Sequence, residues 1–360
     1  MDKQKSRWAV NRVCLAALAA ALLAGCAAAP RQHTAAAEPT VELATAAGLI
    51  DYLRSEPAVR DAAIWDNSYG EGLAIDTAHY RIYTTHLEPL MLRQVPAFLE
   101  SAFRAYQRQL PAPLSSPEPF VVYLFGTRDQ WEHYTRDTAG TDADVYLQIQ
   151  AGAYVADGVC VAYNIGRRQT FAILGHEGWH QFNQRLFVYR LPSWLDEGIA
   201  TLFETCRYEQ GRFVFEPASN LMRLGSLKQA LMHNRLMPLE ELLLLNPGQL
   251  LTDINGNSDR ASIFYAQVYA LVRFLREAGY GTRLRAYEAL LHDAAAGNWP
   301  LDERLLRIAA DRSIALTVSW NRQASRALFS HYFGDNMASL NAEYRVFCSK
   351  ITYPVRIRPR

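Results

Sequence analysis

Gly175-His176-Glu177-Gly178-Trp179-His180-Gln181-Phe182 is the stretch from which the rest of the chain is read. Residues four apart stack on one face of an α-helix, so His176 and His180 can turn both imidazoles toward a single metal ion. Glu177 falls beside that point, where a carboxylate can take a proton from an activated water. Phe171, Leu174, Phe182 and Leu186 lay an apolar stripe next to the histidines, as a helix packed on a core requires. Gly175 and Gly178 each cost a helix about 1 kcal/mol relative to alanine. Both suit a place where a neighbouring backbone comes close. Two histidines alone could equally be a hydrogen-bonded pair in the core, so the weight falls on their surroundings.

Sixteen residues separate His180 from Glu197, enough for the end of one helix, a turn at Leu191-Pro192 and a returning helix. Ser193 is the expected N-cap of that second helix, with Asp196 in its first turn complementing the helix dipole. Glu197, Thr201, Glu204 and Tyr208 then share one polar stripe of the helix, Tyr208 as solvated surface. With Glu197 as third ligand, one zinc per chain would keep its fourth position open, the pattern of a catalytic site. Glu204 is placed to accept a hydrogen bond from the second ring nitrogen of a ligand histidine. His79, His86 and His133 lack ligand spacing, and His233 and His292 read as surface histidines.

Upstream, Tyr80 to Thr85 has the pattern of a strand, Leu87 to Leu110 that of an amphipathic helix, and Phe120 to Phe125 that of a buried strand. Gln150 to Tyr163 alternates around Asp157-Gly158, a hairpin turn signal. From Leu191 onward the pattern is mostly helical, including Ala261 to Ala278 and Leu284 to His292. The expected fold is therefore α+β. A mixed-sheet lobe over residues 41–190 ends in the HExxH helix, and a mostly helical lobe over 191–360 carries the third ligand.

Lys3, Lys5, Arg7 and Arg12 precede an apolar run from Val13 to Leu23 that is short for a membrane span. It ends in Leu22-Leu23-Ala24-Gly25-Cys26, which resembles a bacterial lipobox. The resemblance implies a signal peptide over residues 1–25 and a lipid on Cys26. The chain would then be anchored in the cell envelope, the outer membrane facing the periplasm being favoured because Ala27 replaces an aspartate. Residues 26–40, rich in alanine with Pro30 and Pro39, read as a flexible tether. Removing residues 1–25 takes four basic groups and one acid from 37 Lys+Arg and 36 Asp+Glu, leaving a net charge near −2. With no basic stripe interleaved with aromatics, no nucleic-acid partner is expected. Cys160, Cys206 and Cys348 are widely spaced and permit at most one internal disulfide.

HExxH followed by Trp194-Leu195-Asp196-Glu197-Gly198-Ile199-Ala200 resembles the gluzincin branch of zinc metallopeptidases, which includes thermolysin and the membrane alanyl aminopeptidases. It is similar in particular to bacterial peptidase MA-like proteins, in which a segment like Phe264-Tyr265-Ala266-Gln267-Val268-Tyr269 follows the third ligand. The resemblance spans roughly residues 80 to 280 and is specific only at the zinc motifs. It implies a thermolysin-like fold, Zn2+ on His176, His180 and Glu197, Glu177 as general base, and Tyr265 as the hydroxyl supporting the oxyanion. Tyr269 offers a competing hydroxyl. Gly178 inside the motif and Asp196 in place of the commoner asparagine depart from the family pattern. Aminopeptidases also hold the substrate's amino group with a glutamate on an upstream strand, and residues 150–163 contain no glutamate. An endopeptidase acting on a peptide or protein of the cell envelope, reading it along an exposed strand edge, is the expectation. Two alternatives use the same residues: a catalytically silent zinc lipoprotein that binds an envelope partner, and an amidase of a cell-wall amide.

Overall fold

The computed structural model describes residues 46–149, 152–247 and 258–355. Residues 1–40, read from the sequence as signal peptide and tether, and Cys26 with them, lie outside the described residues. The fold is α+β, with a six-stranded mixed sheet in the N-terminal part and helices predominating after it.

The sheet runs β1 (Asp61–Ile64), β2 (Leu73–Asp76), β3 (Tyr80–Thr84), β4 (Phe120–Phe125), β6 (Val159–Tyr163) and β5 (Ala153–Ala156) in spatial order. β3, β4 and β6 are parallel, while β1, β2 and β5 are antiparallel to their neighbours. α1 (Ala46–Arg54) precedes the sheet, and α2 (Pro89–Gln107) joins β3 to β4. The Glu88 carboxylate caps α2 by accepting from the amides of Leu90 and Met91. α3 (Arg128–Thr138) and the single turn α4 (Ala143–Tyr146) link β4 to the β5–β6 hairpin. That hairpin turns at Asp157-Gly158 with φ of +50° and +76°, the left-handed pair that a two-residue turn between twisted strands demands.

α5 (Arg167–Leu186) carries the HExxH residues across one face of the sheet. Gln181 ties it there, its side-chain amide donating to the carbonyls of Val121, 2.7 Å, and Gly158, 2.8 Å. Phe182 packs between Phe120 and Phe103. The opposite face of the sheet is an aromatic layer in which Tyr83 stacks on Tyr123 with centroids 5.0 Å apart.

Beyond α5 come α6 (Ser193–Ala200) and a hairpin of β7 (Cys206–Glu209) and β8 (Arg212–Phe215). They are followed by α7 (Leu221–Met232), α8 (Leu239–Leu244), α9 (Ser258–Glu277), α10 (Leu284–Ala296), α11 (Glu303–Ala310), α12 (Val318–Phe333) and α13 (Met337–Thr352). One continuous apolar core runs from the sheet through α2, α5 and α6 into α7, α9, α10, α12 and α13. Among the described residues no helix is long and apolar enough to cross a membrane.

Three local expectations need correction. Pro192, not Ser193, is the N-cap of α6; Ser193 is its first residue, and its amide donates to Asn321 Oδ1 at 2.8 Å. The helix does not continue to Tyr208: it ends at Ala200 in a 3-10 turn, Thr201–Phe203, and Tyr208 sits on β7. β5 is the last strand of the sheet, but Ala153, Tyr154 and Val155 are buried, so only its hairpin end, at Ala156, is partly exposed. Cys160, Cys206 and Cys348 are all free thiols.

The two helix glycines have a steric cause. A Cβ on Gly175 would lie 2.3 Å from the Phe203 carbonyl oxygen, and one on Gly178 would lie 2.4 Å from the Tyr106 hydroxyl. Tyr106 donates to the Gly175 carbonyl at 2.7 Å, clamping α2 onto α5. Gly175→Ala gains helix propensity of about 1 kcal/mol but pushes against main chain that cannot swing away. We expect a net loss of about 1–3 kcal/mol in chemical denaturation. A variant as stable as the native chain would show that the α5–Phe203 contact can relax.

Candidate metal centre

α5 and α6 meet so that His176 Nε2 lies 3.3 Å, and His180 Nε2 3.7 Å, from Glu197 Oε2. One donor atom from each of the three residues falls within 4.8 Å of the others, and all three residues are buried. Among the described residues this is the one such group. The imidazoles are held from behind. His176 Nδ1 is 3.1 Å from Glu204 Oε1, and His180 Nδ1 is 3.0 Å from Asp196 Oδ1. A carboxylate only accepts, so each Nδ1 carries the proton; against burial, the surrounding carboxylates also pull both rings toward the protonated form, and a metal would take the place of the Nε2 proton.

The donor set fits a divalent metal. His176 Nε2 and Glu197 Oε2 are buried without a hydrogen-bond partner, and so is Glu177 Oε2. A buried polar atom left so costs about 1–3 kcal/mol, and three at one place call for a ligand that accepts electron pairs. Two neutral imidazoles and one carboxylate are a donor set that zinc takes readily.

Charge at the site is sorted by its neighbours. Burial raises the Glu197 carboxyl, but the two histidines outweigh it and hold it down to about 2. The same balance, with Arg223 and His176 as the opposing groups, holds Glu204 at about 2. Glu177 has no such partner; burial pushes it up to about 7 against the pull of the histidines.

The support behind the histidines extends further than the sequence indicates. Asp196, expected only to complement a helix dipole, also accepts from Asn183 Nδ2 at 2.8 Å, one turn beyond His180 on α5. Glu204 is gripped by Arg223 Nε and by Asn220 Nδ2, each at 2.8 Å. Arg223 is 1% exposed, so the Glu204–Arg223 pair is sealed from water. No motif pointed to Asn183, Asn220 or Arg223. Tyr265 is buried on α9, with the Arg223 guanidinium 5.1 Å above its ring. Tyr269, the competing hydroxyl, donates to the Pro217 carbonyl at 2.6 Å and is committed there.

A cleft of about 330 Å3 opens onto Asp196 and Glu197 between the β5–β6 hairpin, the end of α5 and residues 312–316. A larger open hollow of about 820 Å3 between α8 and α12 holds none of the site residues. No protein-family model matches the chain, and no curated protein sequence matches it.

Proposed function

We propose that the chain is a zinc-dependent peptidase of the gluzincin type, lipid-anchored through Cys26 in a bacterial cell envelope. The observation that carries the reading is the convergence of His176, His180 and Glu197 on one point, with Glu177 buried beside it and a cleft leading in. Zinc held by these three residues would lower the pKa of a water and polarise a substrate carbonyl.

The chain's own groups supply the proton traffic. Glu177 takes the proton as the water attacks the carbonyl carbon and passes it to the departing amine nitrogen. Glu204 and Asp196 keep the two imidazoles in the ligating tautomer and orientation. Tyr265 is the hydroxyl that the family resemblance assigns to the oxyanion; an unchanged kcat in Tyr265→Phe would remove it. Of the acids along the cleft, Asp196 and Glu197 are engaged by histidines and Asp157 sits at the hairpin tip. No carboxylate there is dedicated to a substrate amino group, which favours an endopeptidase over an aminopeptidase.

The test is metal analysis of the purified chain from residue 27 onward, paired with digestion of a broad peptide library. About one zinc per chain and chelator-sensitive cleavage are expected; a metal-free, fully stable protein sinks the reading. Membrane attachment is checked separately. Cys26→Ser should move the full chain from the membrane to the soluble fraction, and retention on membranes would count against the lipid anchor.

A further inference from the structure

The cleft is electrically lopsided. Its lining carries Asp196 and Glu197, which face the histidines, and on the same wall Arg190 and Arg312. Neither arginine has a carboxylate within 4.0 Å among the described residues, although Asp311 acts on Arg190 and Asp196 on Arg312 from further away. Arg190 Nη2 donates only to main-chain carbonyls, Asp311 at 2.8 Å and Ile314 at 2.7 Å with Ile308 beside them, and its Nε is buried without a partner. Arg312 spends one N–H on the Phe187 carbonyl, 2.8 Å away, and is otherwise exposed at the cleft mouth. Arg185 also lines the cleft, but its guanidinium lies over the Phe120 ring and donates to the Pro119 carbonyl.

Carbonyl oxygens hold a guanidinium in place without cancelling its charge. The two charges act on each other: burial, and then the nearby Arg312 charge, bring Arg190 down to about 10. A pair of like charges on the wall of a cleft focuses a field that a bound anion relieves. The planar N–H fork of arginine matches a carboxylate in particular, giving short, charge-assisted hydrogen bonds. A zinc ion held by Glu197 and the histidines would offset the charges of Asp196 and Glu197, leaving Asp157 as the remaining acid of the lining against three arginines.

We propose that Arg312, backed by Arg190, binds a carboxylate of the substrate in this cleft, so that the substrate class is an acidic peptide cut near its carboxylate. This rests on the peptidase reading above. The carboxylate has two possible sources, an internal Asp or Glu side chain or the peptide's free C-terminus, and matched substrates tell them apart.

The experiment compares zinc-loaded protein on peptide pairs differing only in charge: Asp against Asn, Glu against Gln, and C-terminal acid against C-terminal amide. Binding of the same pairs to the Glu177→Gln protein is measured by calorimetry at low and high salt. A kcat/KM about ten- to a hundredfold higher for the acid member of a pair is expected, with the responding pair naming the source. Arg312→Gln should bring that ratio close to one, and raised salt should shrink it. Arg190 is left intact because its carbonyl contacts hold residues 308–314. Equal cleavage of acid and amide members by the native protein overturns the inference while leaving the peptidase reading standing. A persistent acid preference in Arg312→Gln also overturns it. Tighter, Arg312-dependent binding of acid members with no cleavage of any peptide supports the carboxylate site and sinks the peptidase reading. Equal binding of acid and amide members with no cleavage removes both.

Discussion

Glu177→Gln should keep its zinc and its fold and lose hydrolysis by about 10²–10⁴-fold, the span that one positioned acid–base group contributes. The substitution is close to isosteric, so the packing of α5 against the sheet is untouched. Glu177 is 1% exposed, one residue from His176, and its Oε2 has no hydrogen-bond partner. An amide in that place can neither accept the proton of the attacking water nor return it to the leaving nitrogen. In the metal-free protein burial even favours the neutral side chain, because the carboxyl is pushed up to about 7 there. Stability should therefore hold or rise slightly. Elemental analysis, thermal unfolding and peptide cleavage on the same preparation separate the outcomes. Unchanged cleavage removes Glu177 as the base, and loss of metal would place it among the ligands instead.

What the sequence made legible follows helical arithmetic. His176, His180 and Glu177 are related by one turn of one helix, and a helix is rigid enough for spacing to predict direction. Glu197 could be placed because the interval after His180 fits one turn and one return. Glu204 was legible for a partly mistaken reason. It stands seven residues beyond Glu197, which is two turns of a helix, but the chain reaches it through a 3-10 turn that ends the helix. Asp196 was hidden by its own plausibility: an acid in a first turn has a generic explanation, and nothing local says that it faces His180.

The other omissions have similar causes. β1 and β2 are four residues each, and β1 buries only Ala62, so no alternation marks it. The β7–β8 hairpin did leave a signal, Gln210-Gly211 between short apolar-alternating runs, with both residues at positive φ. Arg223 is the instructive case. On α7 it shares a face with Leu227 and Ala230, at the four- and seven-residue spacing of the helix's buried row. An arginine on such a row must find a partner in the core, which spacing announces but cannot name.

That buried arginine sets the largest expected effect on stability. Glu204→Ala removes the charge facing Arg223 and leaves a guanidinium that is 1% exposed. Breaking such a pair from one side costs about 3–5 kcal/mol, because the desolvated charge remains. The same substitution frees His176 Nδ1 and leaves Asn220 Nδ2 only its bond to the Thr201 carbonyl, so His176 loses what fixes its tautomer. Zinc affinity should fall about 10–100-fold for that reason alone. The two losses can be separated. Glu204→Leu combined with Arg223→Met replaces both charges with apolar groups, and should recover most of the stability while leaving zinc binding weak. Unfolding measured with excess chelator reads the first effect, and competition for zinc against a calibrated chelator reads the second. If the double variant regained zinc affinity along with stability, Glu204 would act through folding alone. If Glu204→Ala were as stable as the native chain, Arg223 would have another anion to turn to. Recovery of stability without affinity makes Glu204 a positioning residue for His176, and ties α7, some forty residues beyond the second histidine, to the metal.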